Sequence, residues 1–193
     1  MSNLDDFGTL QRLIKNRRTV RSFTPDPVDD GVIAEIIDTA VWAPNHRMTE
    51  PWRFVVLRKG GERRAAIADV VYNWTLANTP NPNRGSAAAV EAKEEILNTP
   101  ALVYTFALPG ANPEVSEENY AAVACAVQNF MLAAHARGLA VGWSTGRTCK
   151  PAEVRETLGV DPDWKMVGCL FIGHPAVSPV TERKPEATVT KWL

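Results

Sequence analysis

The sequence predicts an α+β fold in which a four- or five-stranded sheet carries helices on its surface. Amphipathic segments with apolar residues at helical spacing alternate with short apolar runs of strand length. Glycine or proline stands at most of the junctions between these segments. No linker composition and no internal repeat interrupts the pattern, so residues 1–193 are expected to form a single domain.

The first two helices are predicted from apolar spacing and from their end signals. The first ends near the segment NRRTVRSF at 16–23, and Asp29 and Asp30 are expected to cap the second, which Pro44 stops. The apolar stripe of the first helix is Phe7, Leu10, Leu13 and Ile14.

The rest of the chain is predicted as alternating strands and helices. The expected strands are 52–58, 101–108, 139–143 and 164–173. The expected helices are 62–76, 87–98, a long apolar one at about 117–137 that Ser116 caps, and a short one at 151–159. Segment 77–86 is rich in Pro, Asn and Gly and is expected to be a surface loop, and the proline-containing tail 174–193 an extended arm.

Composition excludes several classes of partner. A formal net charge of -1 gives no overall field for nucleic acid or an anionic membrane surface. No apolar run approaches the roughly 20 residues that a membrane-spanning helix needs, and the acidic N-terminus does not resemble a secretion signal. Cys125, Cys149 and Cys169 are odd in number and widely spaced, which favours free thiols and a cytoplasmic protein.

The turn Gly142-Trp143-Ser144-Thr145-Gly146 matches G-x-S-x-G, the nucleophile elbow of serine hydrolases. Asp161, Asp163 and His174 follow in the chain order of a triad, but no helix begins directly after Ser144. A turn with two glycines and two hydroxyl residues also exposes backbone N–H groups to a flat polar ligand. The second interpretation is favoured, because few residues remain for the strands and helices that a hydrolase needs.

The basic cluster Arg17, Arg18, Thr19 and Arg21 has two interpretations. Cations at the end of a helix complement its dipole, whereas guanidinium groups around a hydroxyl also suit a phosphate. Neither a G-x-G-x-x-G nor a P-loop motif is present. His46 has no second histidine or cysteine at ligand spacing, so no metal site is predicted.

Four segments, in order, resemble motifs of the nitroreductase family of FMN-dependent flavoproteins. They are RRTVR at 17–21, APNHRMTEPWRF at 43–54, GWSTG at 142–146, and GHP followed by ERKP at 173–175 and 182–185. Each motif is weak alone, but the four together span nearly the whole chain. The resemblance implies a nitroreductase-like fold with a mostly antiparallel sheet, in an intertwined homodimer that holds FMN between its subunits.

The resemblance also implies roles for individual residues. Arg17, Thr19 and Arg183 would hold the FMN phosphate and ribityl chain, with Arg18 and Arg21 nearer the ribityl and the pyrimidine edge. Pro44, Asn45 and His46 would reach the flavin of the partner subunit, and Trp143, Ser144 and Thr145 would line the ring edge. Segment 77–98 is a candidate lid over the flavin. Glu50, Met48 and Asn45-His46-Arg47 depart from the usual family residues, which affects the expected ring contacts and substrate preference.

The expected chemistry is hydride transfer from NADH or NADPH through flavin N5 to a nitroaromatic, a quinone or a related small acceptor. The alternatives are a relative with dehalogenase, flavin-fragmenting or dehydrogenase activity, a flavin-binding module without enzymatic activity, and the serine hydrolase. The sequence does not identify the physiological acceptor or the preferred nicotinamide.

Overall fold

The computed structural model of the protein describes residues 4–193, and this part of the chain forms six α-helices and a four-stranded sheet. The helices are α1 (Leu4–Asn16), α2 (Asp30–Ala40), α3 (Glu62–Asn78), α4 (Pro82–Asn98), α5 (Pro113–Ala136) and α6 (Ala152–Leu158). The strands are β1 (Trp52–Arg58), β2 (Ala101–Ala107), β3 (Ala140–Ser144) and β4 (Lys165–Gly173). Short 3-10 turns lie at His46–Met48 and Glu186–Thr188.

The sheet has the strand order β1-β2-β4-β3, and every neighbouring pair of strands is antiparallel. The predicted α+β fold with a mostly antiparallel sheet is therefore confirmed, with four strands. The central strand β2 is buried along its whole length, so it lacks the polar alternation of a one-sided strand.

Helices cover both faces of the sheet. Val103 of β2 packs with α2 and α5, whereas its neighbours Leu102 and Tyr104 pack with α3, α4 and α6. This division follows from the strand geometry, in which successive side chains point to opposite faces. The molecule thus has two hydrophobic layers, one on each side of a shared sheet.

Helix α4 is anchored to the sheet by a buried cation. The Arg64 side chain of α3 is 1% exposed and donates to the backbone oxygens of Ile96 at 2.7 Å, Leu57 at 3.3 Å and Thr99. Burial lowers the pKa of Arg64 to about 10. Three carbonyl acceptors at the ends of α4 and β1 thus take the place of a carboxylate partner.

The predicted loop 77–86 is wrong in extent, because only residues 79–81 connect α3 to α4. Pro82 begins a helix, where its missing N–H costs nothing, and Asn81 O accepts from the N–H groups of Arg84 and Gly85. The Pro, Asn and Gly residues that predicted a loop therefore include the first turn of α4. Since α4 buries Ala92 and Ile96 in the core, the C-terminal half of α4 cannot act as a lid. The lid remains a prediction only for the junction between α3 and α4.

The cap predicted at Ser116 is also wrong. Asn112 caps α5 by accepting from the N–H of Val115 at 2.9 Å, and Pro113 is the first helical residue. Ser116 lies within the first turn, where its hydroxyl donates to Asn112 O. At the second helix the prediction was right for Asp29, whose carboxylate accepts from Gly31 and Val32.

Candidate functional site

The basic motif lies along the free edge of β3. Thr19 forms a parallel bridge with Val141, and the N–H of Val20 lies 3.5 Å from Val141 O. Further along, the N–H of Thr24 donates to His174 O at 2.9 Å, and Phe23 forms an antiparallel bridge with Pro175. The segment 19–24 therefore ties the end of α1 to the start of the C-terminal arm.

Gly142 makes this close approach possible. A Cβ atom at Gly142 would lie 2.6 Å from Arg21 Cγ and 2.8 Å from Val20 O, distances that real Cβ atoms do not tolerate. The side chain of Arg21 thus crosses β3 where the strand has no side chain of its own. Its guanidinium carbon lies 4.6 Å from the centre of the Phe171 ring on β4, as in a cation–π contact.

Arg17, Arg18 and Arg183 come together from opposite ends of the chain. They line two adjoining cavities of about 390 and 240 Å³ at the end of α1, with Thr181 contributing from the arm to both. Thr19 lines the smaller cavity. Of the predicted cofactor-binding residues, the structure therefore brings Arg17, Thr19 and Arg183, the expected phosphate residues, together with Arg18, which was expected nearer the ribityl chain.

This cluster carries positive charge without a matching carboxylate. Among the described residues, no ion pair involves Arg17, Arg18 or Arg183. Burial, and then the charges of Arg183 and Arg18, lower the pKa of Arg17. The Nε of Arg18 is buried without a hydrogen-bond partner. An anion with several acceptor oxygens would balance the positive charge and accept a hydrogen bond from Arg18 Nε.

Arg21 does not join that cluster. Its NH1 lies 2.7 Å from Oε1 of Glu95 on α4, and Arg147 approaches the second oxygen of Glu95 at 3.3 Å. Sequence reasoning missed Glu95, because it is one of several glutamates on a charged helix and nothing local distinguishes it. Only the packing of α4 across the sheet shows that it faces Arg21.

The GWSTG turn has one buried and one exposed hydroxyl residue. Ser144 is buried, and its Oγ accepts from Thr148 Oγ1 at 2.9 Å, with no histidine bonded to it. The Trp143 indole lies over Gly168 and donates to Val167 O at 3.3 Å, whereas Thr145 is exposed. The Ser144 hydroxyl is therefore turned away from any surface ligand, and the arrangement is not that of a hydrolase triad.

The Pro44–His46 turn lies elsewhere, beside the N-terminal half of α5. His46 Nδ1 is 2.9 Å from Glu118 Oε1, and Thr49 Oγ1 is 2.8 Å from Asn119 Oδ1. Three neighbouring residues adopt left-handed backbone angles, with φ of 60° at Arg47, 50° at Met48 and 44° at Glu50. Such angles are strained for residues other than glycine and cluster at functional sites.

The two halves of the predicted site are far apart within one chain. The NH1 atom of Arg17 lies 3.9 Å from the sulfur of Met131. The arginine cluster therefore lies near the C-terminal end of α5. The turn at His46 contacts Glu118, which is 13 positions earlier, roughly 20 Å along a helix that rises 1.5 Å per residue. A single copy of the chain does not bring all predicted site residues together.

Other features of the described residues offer less for binding. A cavity of about 410 Å³ beside α2 and β1 is lined by Asp30 and Arg58, which pair with each other at 2.7 Å, and by Asp29, which caps α2. Within residues 4–193 no group of three or more His, Cys, Asp or Glu side chains is arranged to hold a metal. No helix in this part of the chain is both long and apolar enough to cross a membrane.

Comparison with known proteins identifies the family. The sequence profile described as Nitroreductase family matches residues 14–174. The chain belongs to the nitroreductase family. The matched region contains the basic motif, the Pro44–His46 turn and the GWSTG turn of this nitroreductase, and it ends before the arm that carries Arg183.

Individual relatives agree with this assignment. A 5,6-dimethylbenzimidazole synthase of Rhodospirillum rubrum is 31% identical over 174 residues, covering 86% of this chain and 82% of the relative. A nitroreductase-like family protein from Bacillus cereus superposes with a TM-score of 0.83 at 29% identity, covering 95% of both chains. The FMN-dependent nitroreductase NfnB from Mycobacterium smegmatis, in complex with NADPH, has a TM-score of 0.76 at 19% identity, covering 98% of this chain and 100% of its own, a likeness of fold alone.

The close approach at Gly142 generates the first prediction. We expect Gly142→Ala to destabilise the protein by roughly 1–3 kcal/mol, because the added methyl group overpacks the contact with Val20 and Arg21. Gly146→Ala is the matched control, since a Cβ atom there meets no atom within 4 Å. Urea denaturation measures both free energies of unfolding, and equal values for the two variants would contradict the prediction.

Proposed function

We propose that this nitroreductase is an FMN-dependent oxidoreductase that passes a hydride from NADH or NADPH to a nitroaromatic, a quinone or a related small acceptor. The observation that carries the proposal is the cluster of Arg17, Arg18 and Arg183, which is unmatched by any carboxylate among the described residues. FMN carries the phosphate that such a cluster binds. The NADPH complex of the related fold supports a nicotinamide as reductant.

The residues fit FMN better than a nucleotide bound by a glycine-rich loop. The guanidinium groups of Arg17 and Arg183 and the hydroxyls of Thr19 and Thr181 line the adjoining cavities, so they offer several donors to one phosphate. Arg21 lies further along β3, in the direction that the ribityl chain and ring would extend. The backbone of Trp143, Ser144 and Thr145 at the following turn would then line the edge of the ring.

Bound FMN would supply a ring that accepts a hydride at N5 and delivers it to a second substrate. The chain's own contribution is to bind, orient and stabilise charge. Arg21 would stabilise negative charge at the pyrimidine edge, and backbone N–H groups of the GWSTG turn would orient the ring. No nucleophilic side chain is needed, which agrees with the buried and bonded state of Ser144.

We also propose a homodimer with its two-fold axis near the middle of α5. The face of α5 that this chain leaves uncovered contains only small or uncharged side chains between positions 121 and 132. Its members are the exposed Ala121 and Cys125 and the half-buried Ala124, Gln128, Asn129 and Leu132. On α1, Phe7, Leu10 and Ile14 are 68%, 51% and 49% exposed, so most of the predicted apolar stripe is left exposed within one chain, and only Leu13 is half-buried.

A dimer of this kind would complete the site. Two antiparallel copies of α5, related by an axis near position 125, would put the Pro44–His46 turn of one subunit beside the arginine cluster of the other. The separation of these half-sites along α5, roughly 20 Å, supports a site shared between subunits. A cytoplasmic location is part of the proposal and is supported by three free cysteines among the described residues.

A flavin-fragmenting activity is the second candidate. The 31% identity to a 5,6-dimethylbenzimidazole synthase supports it, because that relative covers most of this chain. The arginine cluster would serve either activity, since both would hold FMN. The two candidates differ in what happens to the flavin ring and are separated by experiment.

Phosphate recognition is tested by comparing FMN with riboflavin, which lacks the phosphate. We expect Arg183→Gln to weaken FMN binding by roughly 1.5–3 kcal/mol, the range for hydrogen bonds to charged groups, and to leave riboflavin binding nearly unchanged. Arg12→Gln is the matched control, because Arg12 lies on α1 just before the cluster and its side chain, among the described residues, bonds to Thr9 rather than lining the cavities. Fluorescence titration gives the dissociation constants of FMN and riboflavin for the wild type and both variants. Equal losses for FMN and riboflavin would contradict the assignment of Arg183 to the phosphate.

Enzymatic activity is tested on the flavin-loaded protein without air. We expect the oxidised flavin absorbance to disappear on addition of NADH or NADPH and to return on addition of a quinone or nitroaromatic acceptor. Flavin that stays oxidised with both nicotinamides would identify a binding module instead. Formation of 5,6-dimethylbenzimidazole from the reduced protein in air would favour the second candidate.

The dimer is tested by placing a charge on the uncovered face of α5. We expect Cys125→Glu to produce monomers and to lower FMN affinity at least tenfold, because two carboxylates would meet at the two-fold axis, which the proposal places near position 125. Ala66→Glu on an exposed position of α3 is the matched control. Sedimentation velocity reports the mass, and a monomeric variant with unchanged FMN affinity would show that the site does not need the second subunit.

A further inference from the structure

Glu95 of α4 forms an ionic network at the proposed ring end of the site. Its side chain is 15% exposed, and its two oxygens lie 2.7 Å from Arg21 NH1 and 3.3 Å from Arg147 NH2. One carboxylate thus separates two guanidinium groups. The same arginine, Arg21, belongs to the basic motif and lies over Phe171.

Hydrogen bonds to the backbone of Glu95 and of the residues that follow it fix its position. Thr99 bonds back to Glu95 O through its hydroxyl at 2.6 Å and its N–H at 3.2 Å. Arg64 then binds the carbonyls of Ile96 and Thr99 and fixes this end of α4 to the sheet. Because the backbone that follows Glu95 is held, its carboxylate presents a fixed charge to Arg21 rather than a mobile one.

A surface ion pair alone would not explain this arrangement. Exposed pairs contribute little and are screened by salt, whereas the Glu95 side chain is 15% exposed and lies between Arg21 and Arg147. It is close enough to the buried thiol of Cys169 to contribute to the raised pKa of that group, which burial mainly causes. The negative charge of Glu95 therefore acts on groups inside the protein, on the side where Arg21 lies.

We propose that Glu95 lowers the reduction potential of the bound flavin by offsetting the charge of Arg21 while holding it in place. This inference rests on the proposed function, in which Arg21 lies at the pyrimidine edge of FMN. Two-electron reduction adds negative charge to that edge, and an unopposed pair of arginines would favour the reduced form strongly. With Glu95 between them, the two cations and one anion leave a single net positive charge. The reduced flavin then remains a better hydride donor to its acceptor.

The experiment measures the midpoint potential of FMN bound to the full-length protein, by anaerobic reductive titration against a reference dye. Glu95→Gln keeps the shape of the side chain and removes its charge. We expect reduced FMN to gain affinity relative to oxidised FMN by roughly tenfold, which raises the potential by about 30 mV for a two-electron couple. Glu95→Asp keeps the charge and should stay close to the wild-type potential.

The neighbouring Glu94→Gln is the matched control, because Glu94 is exposed on the same helix and belongs to none of the ion pairs among the described residues. Its potential should equal that of the wild type. A Glu95→Gln potential that is unchanged or lower would overturn the inference. So would equal shifts for Glu95→Asp and Glu95→Gln, since a purely structural role depends on side-chain length rather than charge.

A second variant covers the case in which Glu95→Gln does not retain flavin. Arg147→Gln removes a cation from the same network, so the midpoint potential should fall instead of rise. An unchanged or higher potential there would overturn the inference. Failure of the wild-type protein to bind FMN would overturn the proposed function together with this inference, whereas normal FMN binding with unshifted potentials overturns the inference alone.

Discussion

The close packing of the segment 19–24 against the edge of β3 is the constraint on which the candidate site depends. It requires Gly142, because any Cβ atom there would collide with Val20 and Arg21. The contact brings the end of α1 to the sheet, and its continuation through Phe23 and Pro175 brings the arm to the same edge. Arg17 and Arg183, which are far apart in sequence, become neighbours for this reason.

The arginines of the site fall into two electrostatic groups. Arg17, Arg18 and Arg183 have no carboxylate partner among the described residues, and burial, followed by the charges of Arg183 and Arg18, lowers the pKa of Arg17. Arg21 and Arg147 share Glu95. The first group suits a ligand part with a full negative charge of its own. The second suits a part whose charge changes during a reaction, since Glu95 leaves it one net positive charge.

The division of the site between the ends of α5 explains several otherwise unrelated features. The turn at Pro44–His46 keeps strained backbone angles at Arg47, Met48 and Glu50, held by contacts to Glu118 and Asn119. The middle of α5 shows small uncharged side chains to solvent, and α1 shows an apolar stripe. All three features make physical sense when a second copy of the chain packs on this face, as the proposed homodimer requires.

The sequence by itself determined the α+β class, the four strands, most helix positions and the basic motif, because periodicity and glycine or proline signals are local. It was wrong at 77–86 and at Ser116, where proline and asparagine begin helices rather than loops. The family resemblance, not any local pattern, implied that Arg183 joins Arg17, and tertiary structure alone decided that Ser144 turns inward and that Glu95 faces Arg21. These outcomes depend on contacts between distant segments packed across β3, and no local pattern encodes which side chains meet there.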